Sequence, residues 1–192
     1  DQQILTFIPF YEDVLDAAAG ALTALDRPAK HIVDLGTGSG ALAGRCVKAL
    51  GRVKVTGIDA DPAMLAMAEK RLGKALTPVV GTLEQTPFPA CDVVTASFSL
   101  HHIASPSVKL RIFKRAFAAL RPGGLLVDAD CMLNDDAKLQ ARDHETWRAH
   151  LATTHGAAGA RRFLNAWAGE DTYFPLGLEV LLLRKAGFTV DV

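Results

Sequence analysis

No stretch of this chain holds about 18 apolar residues in a row, so no segment is long enough to cross a bilayer as a helix. Neither sign of charge is in excess. Lys plus Arg and Asp plus Glu number 21 each, which removes the usual footprint of non-specific nucleic-acid or membrane-surface binding. Cysteine is scarce: Cys46, Cys91 and Cys131 lie far apart and make no CxxC. Such a set offers no disulfide framework and reads as reduced intracellular thiols in the core. The run His144–His150, HETWRAH, resembles a zinc signature but carries Arg148 where the second histidine of HExxH belongs. Its two histidines fall on different helix faces, so no metal is expected. A charged-then-apolar leader is also missing, and the expected compartment is the cytoplasm.

What is present fits one globular domain: 192 residues, 49% of them hydrophobic, with no internal repeat or low-complexity tract. Residues 4–25 are apolar at helical spacing, with Pro9 marking a break, and residues 1–28 read as an N-terminal helical segment. Beyond it the pattern alternates. Short apolar runs at His31–Leu35, Val53–Asp59, Thr77–Val80, Asp92–Ser97 and Leu125–Ala129 read as strands. Helical runs at Ala41–Leu50, Pro62–Leu72 and Pro106–Leu120 separate them, the last two launched by Asp61-Pro62 and Ser105-Pro106. Strands alternating with helices of this length specify a parallel sheet with right-handed crossovers.

After the fifth strand the rhythm changes. Residues 131–174 read as a helical insertion over the carboxyl ends of the strands, interrupted by the Gly/Ala-rich stretch Gly156–Gly159. Pro175 precedes a helix over Leu176–Ala186, and Thr189–Val192 reads as the opening of a strand. The chain also starts without methionine, so the native protein is expected to continue, with at least one further strand. The basic helix containing Lys109, Arg111, Lys114 and Arg115 reads as a solvated face.

The most informative stretch is HIVDLGTGSG, His31–Gly40, followed by the strand that ends on Asp59. A buried strand, a glycine turn, a helix and a second strand closing on a carboxylate build a nucleotide-shaped crevice. Alone, Gly36, Gly38 and Gly40 satisfy both the GxGxG and GxGxxG/A patterns and also serve any tight strand-to-helix corner. Asp59 is placed to accept both hydroxyls of a ribose. Asp34, two residues before the first glycine, sharpens the choice of ligand. A carboxylate there gains nothing from a pyrophosphate but favours a ligand with a cationic end.

Taken together, VDLGTGSG, VTGIDADPAMLAMA, GTLEQTPF, CDVVTASFSLHHI and LRPGGLLVDAD resemble the class I S-adenosylmethionine-dependent methyltransferases of the small-molecule type. The likeness runs in order from about Ile32 to Asp130 and resumes at LLRKAGFTV. It implies an α/β fold: a doubly wound, mostly parallel Rossmann-like methyltransferase sheet with helices on both faces and a helical insertion after strand five. It implies S-adenosyl-L-methionine as cofactor. Asp34, Gly36, Thr37, Gly38 and Gly40 would line its methionine and ribose portion, and Asp59 the ribose hydroxyls. Ala60 and Met64 would pack beside the adenine, Thr82 and Leu83 at its edge, and Ser97 and Phe98 near the ammonium. Thr82 departs from the pattern, where Asp is common, and Cys91 replaces a usual aromatic. In the family the last strand pairs with a seventh, which this sequence does not contain.

Catalysis by such an enzyme is mainly alignment of a nucleophile with the methyl carbon, with a base needed only when the nucleophile must lose a proton. His101, His102 and Asp130 are the candidates for that base; a packed turn and a cap are the plainer readings. Tyr11, Trp147, Trp167 and Tyr173 are the candidates for an acceptor surface, with core packing as the alternative. The expected partner is a small-molecule methyl acceptor, with no nucleic acid and no membrane, on a monomer or homodimer. Two other readings stay open. An NAD-dependent oxidoreductase is disfavoured by Asp34 and by the lack of a Tyr-x-x-x-Lys pair, while a non-catalytic cofactor-binding domain is not separated by sequence. Action on nucleic-acid bases is disfavoured by the absence of an Asn/Asp-Pro-Pro-Tyr/Phe motif after strand four.

Overall fold

The computed structural model describes residues 3–192. Its centre is a five-stranded sheet in which every pairing is parallel. The strands are β1 (His31–Leu35), β2 (Lys54–Asp59), β3 (Leu76–Val80), β4 (Cys91–Ser97) and β5 (Leu120–Ala129). Their spatial order is β3-β2-β1-β4-β5. The chain therefore winds outward from β1 in one direction, then returns to place β4 on β1's other side. That reversal opens a crevice at the carboxyl ends of β1 and β4. Pro78 sits in β3, which has β2 as its sole ladder neighbour, where a missing N–H is tolerated.

Helices cover both faces, as the alternation requires. On one face α2 (Tyr11–Gly20), α3 (Ala41–Leu50) and α4 (Pro62–Leu72) contribute Leu15, Leu42, Cys46 and Ala68 to a core with Ile32, Val55 and Val93. On the other, α5 (Pro106–Ala119) and α7 (Leu176–Ala186) contribute Ile112, Phe113, Leu182 and Leu183 against Val33, Val94 and Ala96. β1 and β4 are buried along almost their whole length, which explains their continuous apolar runs. Asp61 caps α4, accepting from Ala63 N at 2.8 Å, with Pro62 at the first helical position. The cover consists of the short α1 (Ile4–Phe7) and the long α6 (Ala137–Glu170). α6 is broken at Gly156 (φ 67°, ψ 169°), a left-handed corner that glycine accommodates.

Four details differ from the sequence reading. Residues 121–124, which the sequence reading leaves between the helix ending at Leu120 and the fifth strand, belong to that strand. They bulge within it, because Cys91 pairs with Leu120 and Val93 with Leu125. Residues 189–192 form no strand, since a strand exists only as half of a ladder and no described segment pairs with them. The N-terminal helical segment is three pieces, α1, α2 and a 3-10 turn at Ala21–Ala24, broken where Phe10 adopts φ 56°. The basic helix α5 is not uniformly solvated: Lys109 is 2% exposed and paired with Glu179 of α7, its Nζ 4.6 Å from the centre of the Phe174 ring. Arg115 reaches back to the carbonyls of Leu83 (2.7 Å), Glu84 (2.9 Å) and Thr86. No helix is long and apolar enough to cross a membrane among the described residues.

Candidate active site

At the carboxyl ends of β1, β2 and β4 lies a cavity of about 590 Å3. Gly36, Thr37, Gly38, Asp59, Ala60, Met64, Thr82, Leu83, Ser97 and Phe98 all reach its wall, together with Tyr11 from α2. Four of the five segments that carry the resemblance reach this wall, Tyr11 adds a fifth from α2, and nothing from LRPGGLLVDAD reaches it. The corner itself requires glycine at Gly36: its φ is +65°, and a β-carbon there would lie 2.3 Å from Ser99 Cβ. Ile4, Ser99, Glu84, His102 and Ile103 also line the wall and were not singled out as cofactor contacts.

Two expected wall residues are elsewhere. Gly40 faces α4, where a β-carbon would meet Ala68 and Leu72 at 3.1 Å; it is needed for helix packing. Asp34 lies beneath the turn, 2% exposed, because β1 is the central strand and helices cover both of its faces. There it accepts a 2.6 Å hydrogen bond from the Thr95 hydroxyl, while the Thr37 hydroxyl closes on Asp34's own carbonyl at 3.0 Å. Burial pushes the Asp34 carboxyl up to about 6, with the threonine hydroxyls opposing that rise and the Asp59 charge adding to it. Asp34 is therefore a buried carboxyl behind the glycine corner and not part of the cavity wall. Thr95, its partner, carries no motif and was not anticipated.

Asp59 stands on the wall with both oxygens anchored. Oδ2 accepts from Gly38 N at 2.7 Å and Oδ1 from Asp61 N at 2.9 Å. Each oxygen keeps a further acceptor site for a ligand hydroxyl. The loop carrying Thr82 and Leu83 is fastened from behind by Arg115, whose guanidinium also lies 4.3 Å from the centre of the Phe88 ring. No Lys or Arg lines this cavity among the described residues, whereas Asp59 and Glu84 do.

A second cavity, about 860 Å3, opens beneath α6 and shares Phe98 with the first. Trp147, Trp167 and Tyr173 line it, as do Asp130, Cys131 and Asp143. Phe98 adopts φ +48°, a strained conformation for a bulky residue. Its N–H donates to Ala129 O at 3.0 Å, and Tyr11 packs on its ring at 5.3 Å between centres. Tyr11 and Phe98 thus stand between the two spaces.

Between the cavities the structure assembles a polar network. His101 is buried; its Nδ1 contacts Asp130 Oδ1 at 2.5 Å, and its backbone N–H donates to Asp130 Oδ2 at 2.9 Å. Burial raises the Asp130 carboxyl, but the His101 hydrogen bond and charge and the Cys131 N–H outweigh it and hold it below its ordinary value. His102 is exposed on the wall of the first cavity, its Nδ1 2.9 Å from Asp171 Oδ1. Asp171 in turn accepts from the Tyr173 hydroxyl at 2.7 Å, and Thr172 N donates to His101 O at 2.9 Å. Burial and the neighbouring Asp171 push the Tyr173 phenol well above its ordinary value, so it donates and does not act as a base. One nitrogen from each of His101 and His102 and an oxygen of Asp171 lie within 4.8 Å of one another, a donor set able to hold a metal ion. Asp171 stands far along the chain from the histidine pair, and no local motif marks it.

Comparison with known proteins follows the same lines. A family model described as a methyltransferase domain matches residues 32–124. A trans-aconitate 2-methyltransferase of Acidovorax sp. (strain JS42) is 30% identical over 174 residues, covering 88% of this chain and 66% of the relative. A ubiquinone/menaquinone biosynthesis C-methyltransferase UbiE of Agrobacterium fabrum (strain C58) is 31% identical over 140 residues, 69% of this chain and 52% of its own length. In fold, an O-methyltransferase family protein from Burkholderia thailandensis superposes with a TM-score of 0.70 at 19% identity, covering 94% of this chain and 51% of that one. The chain thus spans at most 66% of these proteins' lengths. The five-segment wall, the strand order and these matches converge: the chain belongs to the class I S-adenosylmethionine-dependent methyltransferases.

Proposed function

We propose that this protein transfers a methyl group from S-adenosylmethionine to a small-molecule acceptor. The observation that carries the reading is the charge of the cavity: Asp59 on its wall, Asp34 under its floor, and neither Lys nor Arg among its described lining residues. A pyrophosphate-bearing dinucleotide would meet anions there, whereas an adenosine with a cationic tail meets complementary charge. That asymmetry argues against the NAD-dependent alternative.

The residues fit this cofactor. Asp59 is set to accept ribose hydroxyls with its remaining lone pairs, and the backbone of Gly36 and Gly38 allows close approach. Ala60 and Met64 suit the adenine face, Thr82 and Leu83 its edge. Ser97 and Phe98 suit the amino-acid end, with Asp34 as the buried counter-charge. When bound, the cofactor supplies a methyl on a sulfonium: the acceptor–carbon bond forms, the sulfur–carbon bond breaks, and its electron pair stays on sulfur. An acceptor that must also lose a proton needs a base. His102 suits that role: Asp171 engages Nδ1, Tyr173 steadies Asp171, and Nε2 is left as the acceptor atom of an exposed ring on the wall. His101, buried against Asp130, acts as a positioning residue for the turn.

Calorimetry with S-adenosylmethionine, S-adenosylhomocysteine and NADH tests the ligand assignment. Saturable binding of the two adenosyl thioether and sulfonium ligands, with none for NADH, is the expected result; the reverse order would overturn it. Transfer of labelled methyl to a panel of phenols and amines then separates an enzyme from a binding domain.

A further inference from the structure

We infer that the second cavity is an acceptor site for a planar aromatic compound that is uncharged or cationic, and that it rejects polycarboxylates. This rests on the methyl-transfer reading and adds the class of acceptor. The first argument is shape. Trp147 and Trp167 stack almost parallel, 14° between planes and 5.4 Å between centres, and Tyr173 stands edge-on to Trp147 at 5.8 Å. The polar handles of this wall are engaged elsewhere. Trp147 Nε1 donates to Phe7 O at 2.7 Å, and the Tyr173 hydroxyl donates to Asp171. Phe163 also stacks on Trp167, 5.6 Å between centres and 23° between planes, so the wall is a rigid aromatic cluster whose apolar surface and ring edges suit flat compounds.

The second argument is charge. Asp130 and Asp143 line the cavity, and no Lys or Arg does so among the described residues. Asp130 accepts from the backbone N–H groups of His101 and Cys131, at 2.9 and 2.7 Å, donors that suit a carboxylate. An anionic acceptor would therefore leave water for a wall of its own sign, with His144 the sole basic side chain lining it. The Acidovorax relative named for trans-aconitate is 30% identical to this chain, but a tricarboxylate finds no Lys or Arg among the described residues lining this cavity. The third argument is position. Phe98, held at φ +48°, lines both spaces, so the second cavity adjoins the cofactor cavity at this residue.

The test uses three probes that share one ring system and differ in charge: 2-naphthol, 2-naphthylmethylamine and 2-naphthoate, with trans-aconitate as a fourth. Binding to the full chain is read by tryptophan fluorescence and calorimetry in the presence of S-adenosylhomocysteine. Naphthol and the amine are expected to bind at least 30-fold more tightly than naphthoate, with no saturable binding of trans-aconitate. Asp143→Lys, an exposed site whose change leaves the core intact, is expected to bring naphthoate within about threefold of naphthol. Equal or tighter binding of naphthoate or trans-aconitate by the unmodified chain would overturn the inference. So would the failure of all three naphthyl probes to bind while S-adenosylhomocysteine still does. Loss of S-adenosylhomocysteine binding itself would instead refute the underlying methyl-transfer reading.

Discussion

Asp34→Asn makes a protein that is more stable and binds its cofactor less well. Burial moves the Asp34 carboxyl from the usual 3.8 up to about 6, so keeping it ionised at pH 7 costs the fold on the order of 3 kcal/mol. The sign follows from proton binding. Between those two values the folded protein holds the proton more tightly than the unfolded chain does. Asp34's contribution is therefore most favourable below about pH 4, declines as pH rises to about 6, and is flat above. Asparagine keeps the shape and the Thr95 hydrogen bond without a charge. The expected gain at pH 7 is about 1–3 kcal/mol, equivalent to a rise of roughly 2–12 °C in Tm for a chain of this size. Urea unfolding of both proteins from pH 4 to 8 isolates the effect, because every other titrating group cancels in the difference.

The same change removes the counter-charge under the cavity. A unit charge about 7 Å from a cationic ligand, at an effective dielectric near 20, is worth about 2 kcal/mol. Affinity for S-adenosylmethionine should fall about 30-fold, and affinity for uncharged adenosine should scarcely move. An asparagine variant that is less stable at pH 7, or one that loses adenosine and S-adenosylmethionine equally, would refute the reasoning.

Three further outcomes are expected. Asp59→Ala removes a charged acceptor from the wall and frees Gly38 N, so S-adenosylhomocysteine binding measured by calorimetry should weaken by about 2–3 kcal/mol. Arg115→Lys leaves the Leu83, Glu84 and Thr86 carbonyls without a planar fork; the dissociation constant should rise about tenfold while far-ultraviolet circular dichroism is unchanged. Lys109→Met leaves Glu179 buried without its cation and should cost about 3 kcal/mol in denaturant unfolding, whereas the double change Lys109→Met, Glu179→Leu should recover most of it.

The sheet and its switch point were legible because β1 and β4 are short, largely apolar runs and because Asp61-Pro62 marks a helix start without ambiguity. Asp59 and the glycine corner were legible for the same reason: their geometry is local. Asp34 was read as a wall residue but lies buried behind the corner, because burial of β1 on both faces is set by helices distant in sequence. Asp171, Thr95 and Arg115 carried no local signal. Each gains its role from a partner brought near only by the tertiary fold, as when Arg115 on α5 meets a loop from the far side of β4. Lys109 misled because helical spacing alone does not reveal that α7 closes over that face.

The backbone bond from Thr172 to His101 ties the exit of the long cover helix to the loop after β4. Asp171 and Tyr173 ride on the cover side of that stitch, and both histidines on the sheet side. The contact between His102 and its carboxylate therefore depends on the end of the cover helix staying where that one backbone bond holds it.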